Sequence, residues 1–118
     1  MKLNFKDFKV YKDAKVLVVR TFQLTRKFPK EFYYLSDQIN RSALSVVLNI
    51  AEGSAKGSDK DFNRYIKNSL GSVTELSTAL EVAEDLNLIE KKEFLAINIQ
   101  TQEIIKQLGG FSKYLSKS

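Results

Sequence analysis

The sequence predicts an all-α protein, an antiparallel up-down-up-down four-helix bundle. Apolar residues recur at alternating spacings of three and four over four long stretches, which is the period of one helix face. Helix-breaking residues are sparse, with 1 Pro and 5 Gly among 118 residues. This length lies within the usual range of one domain, so we expect residues 1–118 to form a single four-helix-bundle domain.

The first two helices are predicted over residues 7–27 and 35–56. The first ends before Pro29, because the residue preceding a proline is disfavoured in the α conformation. Its expected core positions are Val10, Ala14, Leu17, Thr21, Leu24 and Phe28. The second is apolar nearly all round, as in a helix buried on more than one side. Its expected core positions are Leu35, Ile39, Ser42, Ala43, Val46, Val47, Asn49, Ile50 and Gly53.

The other two helices are predicted over residues 59–86 and 90–115. Gly57 suits the end of the second helix, and Ser58 with Asp61 resembles a capping box at the start of the third. Helices of this length joined by short turns pack antiparallel around one core. The expected core positions are Phe62, Ile66, Ser69, Val73, Leu76, Leu80 and Ala83 in the third helix, and Phe94, Ile97, Thr101, Ile104, Leu108, Phe111 and Leu115 in the fourth.

The residue types that are missing exclude several kinds of chemistry. The chain has 0 Cys and 0 His, which removes zinc fingers, thiol catalysis, haem ligation and histidine-based triads. The carboxylates of the last two helices lack the Glu-x-x-His pattern of a di-metal bundle. We therefore expect no metal and no cofactor.

No segment of the sequence is suited to a membrane. Residues 1–10 mix Lys, Asp and Phe and have no apolar region of the signal-peptide kind. The longest stretch without a charged residue, residues 42–51, is too short to cross a bilayer, which takes about 20 apolar residues in a helix. Together with the absence of Cys, this composition fits a cytoplasmic protein.

The positive charge is concentrated in the first half of the chain. The whole chain carries 19 Lys and Arg against 14 Asp and Glu, a net charge of +5. Residues 1–58 hold 11 of the basic and 5 of the acidic residues, whereas residues 59–118 hold 8 and 9. A basic half is typical of proteins that bind nucleic acid or anionic lipid, and it also occurs where a lysine-rich face is merely solvated.

A polar stripe runs along each of the two middle helices. If these helices form a hairpin centred on Ser58, two pairs of opposite charge face each other across it. The predicted ion pairs are Glu52 with Arg64 and Arg41 with Glu75, with Ser45 against Gly71 between them. In the structural interpretation these pairs are partly buried and fix the register of the hairpin. In the functional alternative, Arg41, Asn49, Glu52 and Arg64 line a ligand-binding or catalytic site.

Several segments of the sequence resemble one known family. The main ones are residues 38–53 (QINRSALSVVLNIAEG), 58–65 (SDKDFNRY) and 71–76 (GSVTEL). Shorter matches at residues 8–11, 24–29 and 80–86 extend the resemblance over nearly the whole chain. The sequence is similar to the bacterial four-helix-bundle proteins that are encoded within intervening sequences of large-subunit ribosomal RNA genes.

Two positions depart from the pattern of that family without threatening the fold. Val47 stands where many members have Pro, and it restores a backbone N–H donor. Residues 86–88 (LNL) stand where many members have an aliphatic residue, a Gly and an aromatic residue. Asn87 tolerates the left-handed conformation of a helix C-cap, so we expect the turn to be kept. The family has no established catalytic residues that the departures affect.

The resemblance implies a homopentamer. By similarity to the accessory variability determinant of diversity-generating retroelements, it also implies a basic barrel that binds RNA or DNA. Eight apolar or aromatic residues lie off the predicted core positions, and they suit either a subunit contact or a wider bundle core. They are Tyr11, Val18, Phe22, Leu44, Leu48, Leu95, Ile99 and Ile105.

The candidate nucleic-acid contacts are the basic residues outside the predicted ion pairs. Those near the central turn and the third helix are Lys56, Lys60 and Lys67, and those on the first helix are Lys9, Lys12, Lys15, Arg20, Arg26 and Lys27. Five copies of a chain with charge +5 would carry about +25, enough for salt-dependent binding to a phosphate backbone. Phe32, Tyr33 and Tyr34 either stack on bases or dock their loop on the bundle.

Three classes of function follow from these residues. The first is a non-enzymatic, oligomeric protein that binds RNA or DNA through the basic residues above. The second is a protein-interaction scaffold with no nucleic-acid role, whose basic surface only keeps it in solution. The third, an enzyme, needs a water-accessible pocket that holds Asn49, Glu52 and Arg64, and the predicted ion pairs disfavour it because a carboxylate held ionised is a poor general acid.

Overall fold

The computed structural model describes residues 5–117. Their main elements are α1 (Lys9–Thr25), α2 (Tyr33–Ser54), α3 (Asp59–Asp85) and α4 (Lys91–Ser116), with short 3-10 turns at Phe5–Asp7 and Lys30–Phe32. Each helix packs on its neighbour in sequence, and α4 closes the ring of contacts on α1. The bundle measures 47 × 21 × 20 Å. The predicted fold class, an antiparallel up-down-up-down four-helix bundle, is confirmed.

The predicted core positions line one continuous hydrophobic core. Ile39, Val46, Ile66, Val73 and Leu108 have 0% of their surface exposed. The predicted positions that are only half-buried are Phe28, Leu35, Asn49, Phe62 and Phe111. Most of these lie near helix ends, where fewer neighbours cover a side chain. The periodicity of threes and fours therefore identified the buried face of every helix.

The helix ends differ from the prediction by at most two residues, and the turn geometry explains the largest differences. α1 ends at Thr25 because the chain then tightens: the N–H of Phe28 donates to the carbonyl of Thr25 at 3.0 Å. α2 begins at Tyr33, since the 3-10 turn after Pro29 leads directly into it. The predicted cap of α3 is present, because the Ser58 hydroxyl accepts the N–H of Asp61 at 3.1 Å.

A left-handed residue ends α3, as the sequence predicts. Asn87 has a φ of 61°. Its N–H donates to the Glu84 carbonyl at 2.8 Å, and the N–H of Leu88 donates to the Ala83 carbonyl at 2.9 Å. These two bonds are the pattern of a Schellman motif, which satisfies carbonyls left free at a helix C-terminus. Leu88 packs against the core, which anchors the turn into α4.

Hydroxyl groups of the core and of the predicted polar stripe join α2 to α3. The buried Ser69 hydroxyl donates to the carbonyl of Val46 at 2.9 Å. Ser45 meets the hydroxyl of Ser72 at 2.8 Å, one residue beyond the predicted partner Gly71. The hairpin register is therefore close to the prediction, and the small side chains let the two helices pack tightly.

The predicted ion pair between Arg41 and Glu75 does not form. Arg41 instead lies 4.0 Å from Asp37, one turn earlier in α2, and its side chain is 77% exposed. Glu75 accepts hydrogen bonds from Gln38 and from the Ser42 hydroxyl, the latter at 3.2 Å. The carboxylate thus still ties α3 to α2, but through neutral donors that cost less to desolvate than a guanidinium.

The predicted ion pair between Glu52 and Arg64 does not form either. The Arg64 guanidinium lies 3.8 Å from Asp61 within α3, and its side chain is 65% exposed. Glu52 is exposed on the outer face of α2. Both charges stay in water, where a long side chain avoids the desolvation penalty of an interhelical pair.

Candidate nucleic-acid interface

One end of the bundle, which we call the hairpin end, is formed by the start of α1, the α2–α3 turn and the end of α4. The ring of Phe111 packs edge-on against the rings of Phe8 and Phe62, with centroids 5.2 Å apart in each case. Tyr114 stacks on Phe111 at 6.2 Å. The two edge-to-face contacts fix the position of α4 relative to the start of α1 and to α3.

Two cations share one aromatic ring next to the α2–α3 turn. The Lys56 Nζ and the Arg64 Cζ each lie 5.1 Å from the centroid of the Tyr65 ring. A ring attracts a cation over its face through its quadrupole. Tyr65 therefore holds a residue of the turn and a residue of α3 close together.

A groove of about 790 Å³ between α3 and α4 opens at the hairpin end. We call it the basic groove, and its lining includes Lys60, Asn63, Arg64, Lys67, Asn68 and Leu115. The three cations stand at i, i+4 and i+7 on α3, so they form one row on one wall over about 10 Å. Asn63 is buried and accepts a hydrogen bond from the Ser112 hydroxyl at 2.6 Å, which joins the two walls.

The charge of the basic groove is positive. Lys60, Arg64 and Lys67 stand against one lining carboxylate, that of Asp61. Asp61 is 53% exposed and lies 3.8 Å from Arg64, so water screens much of this attraction. A net charge of +2 in a concave surface attracts anions, because low-dielectric walls focus the field.

A second depression, of about 300 Å³, adjoins the basic groove at the hairpin end. We call it the aromatic cleft, and its lining includes Phe8, Lys56, Ser58, Phe62, Phe111 and Tyr114. Leu115 lines both the cleft and the groove. The two depressions are therefore neighbours on one surface.

The predicted lysines of α1 do not join the groove lining. Lys9 donates to Asp13 at 2.6 Å, and this hydrogen bond raises the pKa of Lys9 above its usual value. Two donors, Lys9 and Gln107, hold Asp13 in turn: burial raises the pKa of this carboxyl, but their hydrogen bonds outweigh that effect and leave the pKa lowered. Lys15 lies over the ring of Tyr11 at 5.5 Å, and Lys12 is exposed.

Arg20 lies in a different groove, closer to the opposite end of the bundle. That groove, of about 380 Å³ between α1 and α4, is also lined by Lys27 and Lys92. Lys27 forms an ion pair with Glu93 at 2.7 Å, and this hydrogen bond lowers the pKa of the Glu93 carboxyl. Arg20 is separated from Phe8 at the hairpin end by about 18 Å of helix, so the predicted cations form no single surface.

The alternative ligand site on α2 is not assembled. Asn49 donates to the carbonyl of Ser45 at 2.9 Å, within its own helix. Arg41 and Glu52 lie about 16 Å apart along α2, and both are exposed. Arg41, Asn49 and Glu52 line neither the basic groove nor the aromatic cleft, and of the four residues only Arg64 lines the groove.

Sequence reasoning missed two features of this interface. It assigned Arg64 to an ion pair, although its spacing from Lys60 and Lys67 places it in the same row. It assigned Phe62 and Phe111 to the core alone, although their half-buried rings also line the aromatic cleft. The three-four spacing of cations on α3 was the signal available for the first feature, and no signal in the sequence marks the second.

The eight apolar or aromatic residues that were predicted to lie off the core positions fall into two groups. Tyr11, Val18 and Ile105 pack against the core and widen it. The other five are substantially exposed: Phe22 (47%), Leu44 (42%), Leu48 (56%), Leu95 (50%) and Ile99 (70%). Tyr33 and Tyr34 are exposed at the opposite end of the bundle, at 70% and 86%.

The described chain contains neither a membrane-spanning helix nor a cluster of metal ligands. No helix within residues 5–117 has the length and apolar character needed to cross a membrane. Over the same residues, no group of three or more acidic side chains is placed to hold a metal ion.

The fold and sequence match known proteins. A crystal structure described as a protein of unknown function from the S23 ribosomal protein family of Bacteroides thetaiotaomicron VPI-5482 has a TM-score of 0.84 and 26% identity, over 88% of this chain and 98% of that chain. A comparison with curated proteins found no match. The family model described as 23S rRNA-intervening sequence protein matches residues 6–110. Because this match spans nearly the whole chain, the protein belongs to the 23S rRNA-intervening sequence protein family.

Proposed function

We propose that this protein is a non-enzymatic nucleic-acid-binding protein that holds the phosphate backbone of RNA or DNA in the basic groove. The observation that carries the proposal is the row of Lys60, Arg64 and Lys67 on one wall of a concave surface. Each cation that neutralises a phosphate releases condensed counterions, which drives binding. The ordered pair Lys56 and Arg64 on Tyr65 extends the positive surface to the turn.

The side chains of the groove suit the phosphate backbone more than base edges. Lys60 and Lys67 have flexible stems that carry point charges, which bind phosphates without a fixed direction. Asn68 and the partly exposed Arg64 add hydrogen-bond donors along the same wall. Contacts of this kind position a nucleic acid but carry no sequence information directly. We therefore expect weak sequence preference and strong salt dependence.

We also propose that the chain works as a homo-oligomer, and the family resemblance suggests five subunits. Asn40 donates to the Thr25 hydroxyl and joins α2 to α1, and both helices carry exposed apolar side chains, Phe22 on α1 and Leu44 on α2. On the other side of α1, Ile99 lines a shallow depression between α1 and α4. Different apolar surfaces on one subunit suit a head-to-tail contact, which gives a ring when the rotation between subunits closes.

The exposed apolar patches also favour a second candidate, a protein-interaction scaffold. In that case the patches bind other proteins, and the basic groove only contributes to solubility. The two candidates differ in their response to salt, because only backbone binding weakens log-linearly with salt concentration.

The test is fluorescence anisotropy of a labelled structured RNA titrated with the protein across a salt series. We expect Lys60→Glu and Lys67→Glu each to weaken binding and to reduce the salt slope by about one or more. Lys92→Glu, a matched charge reversal outside the hairpin end, should change both far less. Size-exclusion chromatography with light scattering reports the subunit number of every variant.

Two results would contradict the proposal. Lack of binding at low salt by folded, oligomeric protein would favour the scaffold. Equal effects of Lys92→Glu and Lys60→Glu would mean that net charge, and not the basic groove, determines affinity.

A further inference from the structure

The aromatic cleft presents aromatic rings at a place that water can reach. Tyr114 is 65% exposed and stacks on the half-buried ring of Phe111, with the ring planes 16° apart. Phe8 and Phe62 each lie edge-on to Phe111, which holds that ring in place. A supported ring with an open face is the kind of surface on which a nucleobase stacks.

The cleft and the basic groove differ in charge. In the cleft, Lys56 and Asp59 are the charged lining residues, and their formal charges cancel. The groove carries three cations against the single carboxylate of Asp61. A phosphate is therefore favoured in the groove, because opposite charges attract, whereas the cleft has no net charge that favours a phosphate over a neutral base.

The two depressions also lie next to each other. Leu115 lines both of them. Lys56 of the cleft and Arg64 of the groove lie on the same Tyr65 ring. A ligand that alternates charged and flat neutral groups along its length therefore meets matching surfaces in succession.

We infer that the ligand is single-stranded nucleic acid, with one unpaired base stacked in the aromatic cleft beside Tyr114 and the adjoining phosphates in the basic groove. This inference rests on the proposed function. In a duplex, a base is stacked and paired, so it must be extruded before it enters such a cleft. A basic groove beside an aromatic platform is the combination that binds single strands with little sequence preference.

The Ser58 hydroxyl gives the cleft a polar group that can meet the edge of a base. Its oxygen accepts the N–H of Asp61 at 3.1 Å, which fixes the side chain and leaves its own proton to donate. One such donor is satisfied by acceptors on every nucleobase. It therefore adds affinity without strong discrimination among bases.

The experiment compares four labelled probes of one sequence by fluorescence anisotropy at fixed salt. They are a single-stranded RNA, the matching single-stranded DNA, the duplex of that DNA, and a single strand in which the bases are replaced by abasic sites. We expect both intact single strands to bind at least about tenfold more tightly than the abasic strand, as loss of base stacking implies. The difference between the RNA and DNA strands identifies which of the two is preferred.

The variant that tests the cleft is Tyr114→Ala, and its control is Leu86→Ala, which truncates another exposed apolar side chain at the opposite end of the bundle. Tyr114→Ala should weaken the intact strands about tenfold and leave the abasic strand unchanged, whereas Leu86→Ala should change neither. Circular dichroism confirms that both variants fold.

The outcomes separate this inference from the proposed function. The inference is wrong if Tyr114→Ala has no effect or if the duplex binds as tightly as the single strands. The proposed function would still be supported in that case, provided that binding depends on salt and that Lys60→Glu weakens it. If no probe binds at low salt, both are wrong.

Discussion

Gly53 of α2 lies directly against Tyr65 of α3. A methyl group on Gly53 would come within 2.6 Å of the Tyr65 Cβ and 3.3 Å of the Phe62 carbonyl oxygen. The two helices therefore approach closely just before the α2–α3 turn, and this contact positions the ring that carries Lys56 and Arg64. The missing side chain of one glycine thus supports the basic surface.

Gly53→Ala should destabilise the protein. The added methyl group has no room, and Cβ atoms move only with the backbone, so we expect a loss of about 1–3 kcal/mol in the free energy of unfolding. Gly71→Ala is the matched control in α3, because a methyl group there meets nothing within 4 Å. It should stabilise the helix by up to about 1 kcal/mol. Urea denaturation of both variants measures the difference, and equal effects would contradict the close contact.

Ser69→Ala should cost more stability than Glu52→Gln. The Ser69 hydroxyl is fully buried and donates to the Val46 carbonyl, so its removal should cost about 1 kcal/mol. Glu52 is exposed, and its substitution should stay within about 0.5 kcal/mol of the parent. Thermal unfolding at neutral pH ranks the two. A larger loss of stability for Glu52→Gln than for Ser69→Ala would indicate that Glu52 forms an interhelical ion pair in solution, contrary to this structure.

The turn after α3 should respond in opposite directions to two substitutions of Asn87. This residue has a φ of 61°, in the left-handed region. There, a residue that has a Cβ but no polar group to form a local hydrogen bond costs about 1–2 kcal/mol. We therefore expect Asn87→Ala to lower the melting temperature and Asn87→Gly to hold or raise it. If alanine and glycine behave alike, the left-handed conformation is not present in solution.

Glu93 should make stability depend on acid pH. The hydrogen bond from Lys27 lowers the pKa of Glu93 below its usual value of 4.5, although partial burial opposes this shift. Because the folded pKa is the lower one, the contribution is present in full above pH 4.5 and is lost as the pH falls through the folded pKa. It should amount to less than about 1 kcal/mol for a partly exposed pair.

The check of this pH dependence is thermal unfolding of the parent and of Glu93→Gln from neutral to acid pH. The two melting temperatures should differ at neutral pH and converge in acid. Lys27→Met should reproduce the effect, and the double variant should add nothing further. If the two melting temperatures still differ by the same amount at acid pH, the difference comes from packing and not from the charge of Glu93.

The fold was predictable because helical burial follows a simple period. Val10, Ile66 and Leu108 were assigned to the core from spacing alone, and each is buried. Asn87 was likewise predictable, since few residues other than glycine accept a left-handed turn. These features depend on the backbone, whose geometry is the same in every helix.

The candidate site was less predictable, because long charged side chains choose among several partners. Arg41 reaches Asp37 in its own helix and not Glu75 in the next. The helices' rotation about their axes decides which cations meet in a groove, so Lys60 and Lys67 lie together while Arg20 lines another groove. Spacing along one helix was a sufficient signal for the row on α3, although Arg64 was assigned to an ion pair, but it carried no information about the wall contributed by α4.

The closure of α4 on α1 determines how the chain assembles and where it opens. Residues 55–58 connect α2 to α3, so that contact forms between near neighbours, whereas Gln107 reaches Asp13 across 94 positions. Bringing distant segments together costs more chain entropy, and the contact between α1 and α4 is also the least extensive of the four helix–helix contacts. We expect the α2–α3 hairpin to fold first and the α1–α4 contact to form last. In native-state hydrogen exchange, amides of α1 should therefore lose protection before those in the middle of α3.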